Sequence, residues 1–245
     1  MGIVTAIWEK WVEFKFEWSK ITAAAVVSPL LYMIALGWGL GSMTRMDNIR
    51  YIDFLVPGLI AMSTMNNSFS AVANALNNQR IFEHSFEQVI ISPTSLGEYV
   101  IGQSIGGSLR GIYSGILVLL IALPCGVSLK LSPGFFLVMF LNGLAFGAMG
   151  VLAAILSVTH SDVGRFSTFI ITPMTFLCNT LFPLEQIPRA IQILIEWMPL
   201  THASSQLRSI SYGQAPSLFS ILVLAAYSVL FMVLSVFFIN KKKNL

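Results

Sequence analysis

Long apolar stretches without charge alternate along this chain with short clusters of polar and charged residues. A bilayer core of about 30 Å takes about 20 apolar residues in helical form, and six stretches reach that length. The pattern predicts membrane spans at about residues 21–41, 54–76, 98–124, 133–158, 166–183 and 217–239. We therefore expect an all-α membrane protein in which residues 1–245 form a single transmembrane domain.

The segment before the first span, residues 3–20, is predicted to form an amphipathic helix at the membrane surface. Its large apolar residues recur every three or four positions and share one helical face: Ile7, Trp11, Phe14 and Trp18. Tryptophan favours the membrane interface, which supports this placement. The acidic residues Glu9, Glu13 and Glu17 lie on the opposite side. Two interpretations stay open for them, a solvated face or a contact with a cytoplasmic protein.

Composition agrees with a membrane protein and excludes several other classes. Hydrophobic residues make up 56% of the chain and charged residues 10%, with a mean hydropathy of +0.78, whereas soluble domains are about a quarter charged. A net charge of +3 gives no reason to expect nucleic acid. Two cysteines, Cys125 and Cys178, imply neither a disulfide framework nor a metal site. The chain lacks the G-x-x-x-x-G-K-[ST] motif, so we expect no nucleotide cofactor on it and no ATPase activity of its own.

The distribution of lysine and arginine favours cytoplasmic termini. Six spans place both termini on one side, and a cytoplasmic location puts eight of these residues inside and five outside. Lys241, Lys242 and Lys243 then anchor the last span. Arg110 is left inside the third span, where a charge needs a partner or water. It has either a functional role, a structural pairing or a position nearer the interface.

Two spans carry stripes of uncharged polar residues at helical spacing. Such residues face protein or water, because amides and hydroxyls are costly against lipid. They either form hydrogen bonds between helices or line a polar translocation path for an amphipathic substrate. The candidate pathway residues are Ser63, Asn67, Ser70, Asn74, Thr168, Thr172, Thr175 and Asn179.

The stretch between the second and third spans is predicted to contain an amphipathic helix over 80–91. It ends before Pro93, because the residue preceding proline avoids the α region. Ser95 and Glu98 fit a capping box that opens the third span. The helix is either a plain connector or a lever that a cytoplasmic motor can push.

Two further functions deserve a test, an intramembrane serine protease and a membrane scaffold that transports nothing. Ser104 lies in a Gly-x-Ser-x-Gly pattern typical of serine hydrolases, within the third span. That span is rich in glycines at four-residue spacing, a pattern typical of closely packed membrane helices. The glycines are Gly102, Gly106, Gly107, Gly111 and Gly115.

Before the last span, prolines and polar residues form a block that suits a partly embedded outer element. Leu181-Phe-Pro183-Leu-Glu-Gln-Ile-Pro188 is followed by Pro199-Leu-Thr201-His202, Arg208 and Gly213. With the Ser92-Pro93 segment and the six spans, this block resembles the membrane subunit of type-2 ABC exporters. The chain looks most like permeases for nodulation factors, daunorubicin-like drugs or polysaccharides.

That resemblance implies a bacterial inner-membrane permease with cytoplasmic termini, surrounded by membrane lipid. It would act as a homodimer with two separate P-loop ATPase subunits, which bind ATP and Mg, and would export an amphipathic, lipid-linked or drug-like substrate. The outer re-entrant element would include Pro183, Pro188, Pro199 and Arg208. The surface that couples to the ATPase would include Glu9, Glu13, Arg80, Phe82, Glu83, Phe86 and Glu87.

Overall fold

The computed structural model describes residues 2–40, 45–46, 49–127, 129–182 and 188–243. These residues form a helical bundle, apart from two antiparallel two-residue strands, β1 (Arg45–Met46) and β2 (Ile49–Arg50). The helices are α1 (Gly2–Tyr32), α2 (Tyr51–Ile81), α3 (Ser85–Ile91), α4 (Leu96–Ala122), α5 (Pro133–Leu156), α6 (His160–Phe166), α7 (Thr172–Leu177), α8 (Arg189–Glu196), α9 (Pro199–Ser211) and α10 (Leu218–Lys243). π-Helical stretches follow α1 (Met33–Leu40) and join α6 to α7 (Ser167–Ile171), and a 3-10 turn (Leu123–Cys125) follows α4.

Four of the described helical segments are long and apolar enough to cross a membrane. They are Gly2–Gly37, Leu96–Cys125, Pro133–Leu156 and Leu218–Lys241. The all-helical membrane class is thereby confirmed. The other two predicted spans fall on α2, whose second half is rich in asparagine, and on the α6–α7 segment, which the π-helical stretch interrupts.

The predicted boundary between an interfacial helix and the first span does not appear in the backbone. α1 continues without a break through residue 20 and into the π-helical stretch. No glycine occurs between Ile3 and Gly37, and the one proline of this stretch, Pro29, lies inside α1. The chain here has no terminating residue before Pro29, and the end of α1 that precedes residue 20 packs along α4.

Close helix contact at glycines holds the centre of the bundle, where α2, α4 and α5 pack on one another. A Cβ added at Gly111 of α4 would lie 2.6 Å from the carbonyl oxygen of Thr64 in α2. One added at Gly147 of α5 would lie 2.8 Å from the carbonyl oxygen of Ser104. The tight packing that the glycine spacing predicts is confirmed. α10 then packs on α5, and α9 packs on α2, α5 and α10.

The link between α2 and α4 contains a helix, as predicted, with different boundaries. α2 extends to Ile81, and a turn with His84 in the left-handed region (φ 54°) separates it from α3. α3 ends at Ile91 and Ser92 is extended, as expected before proline. The capping box at the start of α4 does not form in the described structure. Ser95 makes no side-chain capping bond, and Glu98 instead accepts a hydrogen bond (2.9 Å) from the amide of Gly2, because the start of α1 packs there.

Candidate functional site

The polar stripe of the second predicted span divides into a bonded part and an exposed part. Ser63 is buried and lies 3.1 Å from the hydroxyl of Ser114 in α4. The amide of Asn67 donates to the same hydroxyl (2.7 Å) and to the Ser63 carbonyl (3.0 Å). Hydrogen bonding between helices is therefore the observed role of this pair. Ser70 is half-buried, and Asn74, one turn further, is exposed.

The stripe of the fifth predicted span is exposed at its start and buried at its end. Thr168 and Thr172 are exposed, and their hydroxyls donate to carbonyls of their own helix, at Gly164 (3.0 Å) and Ser167 (3.3 Å). Thr175 is buried and bonds to Ile171 in the same way (2.9 Å).

The same segment is π-helical directly before a proline. Pro173 follows Thr172 and has no amide proton, so a regular α-helical bond is lost at this point. The amide of Thr172 instead bonds to the carbonyl of Ser167, five residues earlier. Such local π geometry is frequent at functional sites. It lies beside the two exposed threonines.

Asn179 connects this stripe to the outer element through Arg208. Asn179 has φ 53°, and its side chain donates to the hydroxyl of Ser205 (3.1 Å). The buried guanidinium of Arg208 donates to the carbonyls of Asn179 (2.8 Å) and Phe54 (3.2 Å), and it stacks 3.6 Å from the ring centre of Phe54. Arg208 thus joins α9 to α2 and to the chain after α7.

The outer block forms two helices between α7 and α10. Pro188 is exposed and directly precedes α8, while Pro199 is the buried first residue of α9. Pro183 lies outside the described residues. α9 also buries five polar side chains: Thr201, Ser204, Gln206, Arg208 and Ser211. Thr201 and Arg208 belong to the block singled out in the sequence, whereas Ser204, Gln206 and Ser211 were missed. Thr201, Ser204, Arg208 and Ser211 recur at spacings of three, four and three, which was the available signal, whereas Gln206 lies on another face of α9.

The two acidic residues predicted on α1 to contact a partner face the bundle instead of solvent. Glu9 accepts hydrogen bonds from Gln79 of α2 and from Gln103 of α4 (3.2 Å). Glu13 forms ion pairs with Lys10 (2.9 Å) and Arg110 (3.5 Å). Trp11 and Trp18, on the opposite face, are exposed.

The residues around α3 belong to two groups. Arg80 donates to the Ala154 and Ser157 carbonyls (3.3 Å to Ser157) and lies 5.9 Å from the ring centre of Phe86, which is buried. The second group is exposed: Phe82, Glu83 and Glu87. Of the seven predicted coupling residues, these three are available on the surface.

The environment of Ser104 gives no support to the protease alternative. Ser104 is fully buried inside α4, and its hydroxyl donates to the Val100 carbonyl (2.8 Å). The three histidines have other neighbours, at Glu87 for His84, Asn77 for His160 and Ser220 for His202. Across the part of the chain that the structure describes, no group of His, Cys, Asp and Glu could hold a metal ion.

Comparison with known proteins identifies the family. The sequence profile described as "ABC-2 type transporter" matches residues 1–212. This chain belongs to the ABC-2 type transporter family. Nodulation protein J of Rhizobium meliloti (strain 1021) is 29% identical over 209 residues, which cover 83% of this chain and 80% of that relative. The inner membrane transport permease YadH of Escherichia coli (strain K12) is 30% identical over 207 residues, with coverage of 83% and 80%.

Membership of the ABC-2 family confirms the resemblance seen in the sequence. Its transport permease relatives are membrane components of transporters and are not enzymes themselves. The assignment of pathway and coupling residues within this ABC-2 chain stays a prediction.

Proposed function

We propose that this ABC-2 family chain is the permease subunit of an ATP-driven exporter, assembled as two copies with two separate P-loop ATPase subunits. The observation that carries the proposal is the exposure of Thr168 and Thr172 on a helix that lies beside α2, together with the half-buried Ser70 and the exposed Asn74. A second copy facing this surface would enclose a path with uncharged polar walls. Such walls suit an amphipathic, lipid-linked or drug-like molecule.

Six spans are part of the proposal, with α2 and the α6–α7 segment added to the four apolar ones. α2 has 31 residues, about 46 Å of helix, which exceeds the bilayer core of about 30 Å. Its polar residues do not forbid this location, because Ser63 and Asn67 bond to Ser114 inside the bundle. The α6–α7 segment runs from Phe166, stacked 5.8 Å from Phe69, towards the outer element.

Six spans put both termini on one side of the membrane. The lysines that end the last span, Lys241 to Lys243, favour the cytoplasm of a bacterium as that side, with the chain in the inner membrane. The exposed residues Phe82, Glu83 and Glu87 then lie on the cytoplasmic side, where the ATPase would contact them. ATP-driven closure of the ATPase dimer would move α3. The movement reaches the bundle through Phe86, which packs 6.1 Å from the ring of Tyr99 in α4.

Affinity purification of the tagged chain from detergent extracts, followed by an ATPase assay, tests the proposal. We expect a P-loop ATPase to co-purify in equal stoichiometry and the complex to hydrolyse ATP. A chain that purifies alone, with no ATPase activity in the fraction, would contradict it.

A further inference from the structure

A cleft of about 490 Å³ lies between α1 and α4 and is separate from the polar stripes. Its walls are mainly aromatic and apolar, with two cations among them. The residues that matter here are Trp8, Trp11, Phe14, Leu109, Arg110 and Tyr113. Its volume falls in the range of small-molecule sites, about 300–1,000 Å³.

The cleft lies where the charged parts of α1 and α4 give way to uncharged helix. After Arg110, the chain carries no charged residue until Lys130. After Lys20, it carries none until Arg45. The hydroxyls of Thr22 and Tyr113 lie 2.8 Å apart, so the two boundaries are at the same level. Tryptophan is enriched at such boundaries. Arg110 therefore lies at the membrane interface, on the side of the N-terminus of α1.

The groups around the cleft occupy only part of the hydrogen-bond donors of Arg110. The Lys10 ammonium, 5% exposed, bonds to Glu13 (2.9 Å) and to the Ala71 carbonyl (3.3 Å). Glu13 also accepts a hydrogen bond from Arg110, at 3.5 Å. The Nε of Arg110 is buried and has no hydrogen-bond partner among the described residues. Glu13 is thus shared by two cations, with Glu17 as the second acidic neighbour of Arg110, and the terminal nitrogens of the guanidinium keep donors for an anion.

We propose that this cleft binds one phospholipid of the adjoining leaflet, with the lipid phosphate on Arg110, the rest of the headgroup against Trp8 and Trp11, and the acyl chains passing Tyr113 into the membrane. A guanidinium presents paired donors that match phosphate oxygens. The apolar wall is open to its surroundings at the membrane interface, since Leu109 and Trp11 are 50% and 56% exposed. Basic pockets between membrane helices are suited to anionic headgroups. The site depends on the membrane location alone and does not require the proposed export function.

The test is lipid binding by the purified full-length chain in detergent, followed by native mass spectrometry with dioleoyl phosphatidylglycerol. We expect one bound lipid per chain in the wild type and affinity about tenfold or more lower in Arg110→Gln, because charge-assisted hydrogen bonds are lost. Arg110→Lys keeps the charge without the paired donors, and its lipid affinity should lie between those of the wild type and Arg110→Gln. Lys20→Gln is the control, since Lys20 is a solvent-exposed cation of α1 that does not line the cleft, and should bind as the wild type does.

Two competitors separate a lipid from a free anion. Dioleoylglycerol, which lacks phosphate, should bind at least about tenfold more weakly, and inorganic phosphate should not displace the lipid. If Arg110→Gln does not purify in folded form, Leu109→Trp narrows the cleft with its charges intact and should also lower lipid affinity. Equal affinities for Arg110→Gln and Lys20→Gln, equal binding of dioleoylglycerol, or displacement by inorganic phosphate would each overturn the proposal.

Discussion

At the scale of single residues, Arg208 is the side chain on which the outer element most depends. It binds two carbonyls that belong to different parts of the chain, and it is buried. Replacement by glutamine should lower the free energy of unfolding by about 2 kcal/mol or more, since two hydrogen bonds from a charged group and its stacking on Phe54 are lost. Thermal unfolding in detergent measures this. Arg189→Gln, at an exposed position, should change little, and equal losses in both variants would contradict the role assigned to Arg208.

Gly111 gives a second test at this scale, because the α2 backbone leaves no room for a side chain there. The Cβ of Gly111→Ala would meet the Thr64 carbonyl at 2.6 Å, and we expect destabilisation of about 1–3 kcal/mol from overpacking. Gly164→Ala is the matched control, since a Cβ there meets nothing within 4 Å. The melting temperatures of both variants in one detergent decide the comparison. A Gly111→Ala protein as stable as Gly164→Ala would show that the helices can separate without cost.

At the scale of elements, the sequence was sufficient where the local chemistry of one residue decides the outcome. Pro93 predicts the end of α3, and the glycines of α4 predict close packing. It was insufficient where the outcome depends on which helix face meets the bundle. Periodicity separates the tryptophans of α1 from its glutamates, but membrane helices pack through small residues. Ala6 therefore packs against Gly102, and the same face of α1 brings Glu9 against the bundle, where it bonds to Gln103.

The same limit applies to the polar stripes, since spacing defines their face but not their neighbours. Ser63 and Asn67 form hydrogen bonds with Ser114, a residue that no stripe contains, whereas Thr172 stays exposed.

If Thr172 faces a path between two copies, Thr172→Trp should abolish transport and leave the assembly intact. Leu222→Trp, on the exposed surface of α10, is the control and should transport normally. Measurement needs reconstituted vesicles and an amphipathic fluorescent probe; unimpaired transport by Thr172→Trp would place the path elsewhere.

At the scale of the whole molecule, the predicted coupling residues should separate into two phenotypes. Glu83 and Glu87 are exposed around α3, so reversing both to lysine should weaken association with an ATPase without changing the stability of the isolated chain.

Glu9 is bonded to Gln79 and Gln103, so Glu9→Ala should lower the stability of the isolated chain whether or not an ATPase is present. The change to alanine leaves the side-chain amides of Gln79 and Gln103 without their acceptor, which costs about 1–3 kcal/mol. Glu196→Lys, a reversal at the exposed last residue of α8, controls for charge alone. Co-purified ATPase activity and the melting temperature of the isolated chain, measured on all three variants, test this division. Full co-purified ATPase activity with Glu83→Lys/Glu87→Lys would show that the motor does not act through α3, and a Glu9→Ala chain as stable as the wild type would contradict the structural role assigned to Glu9.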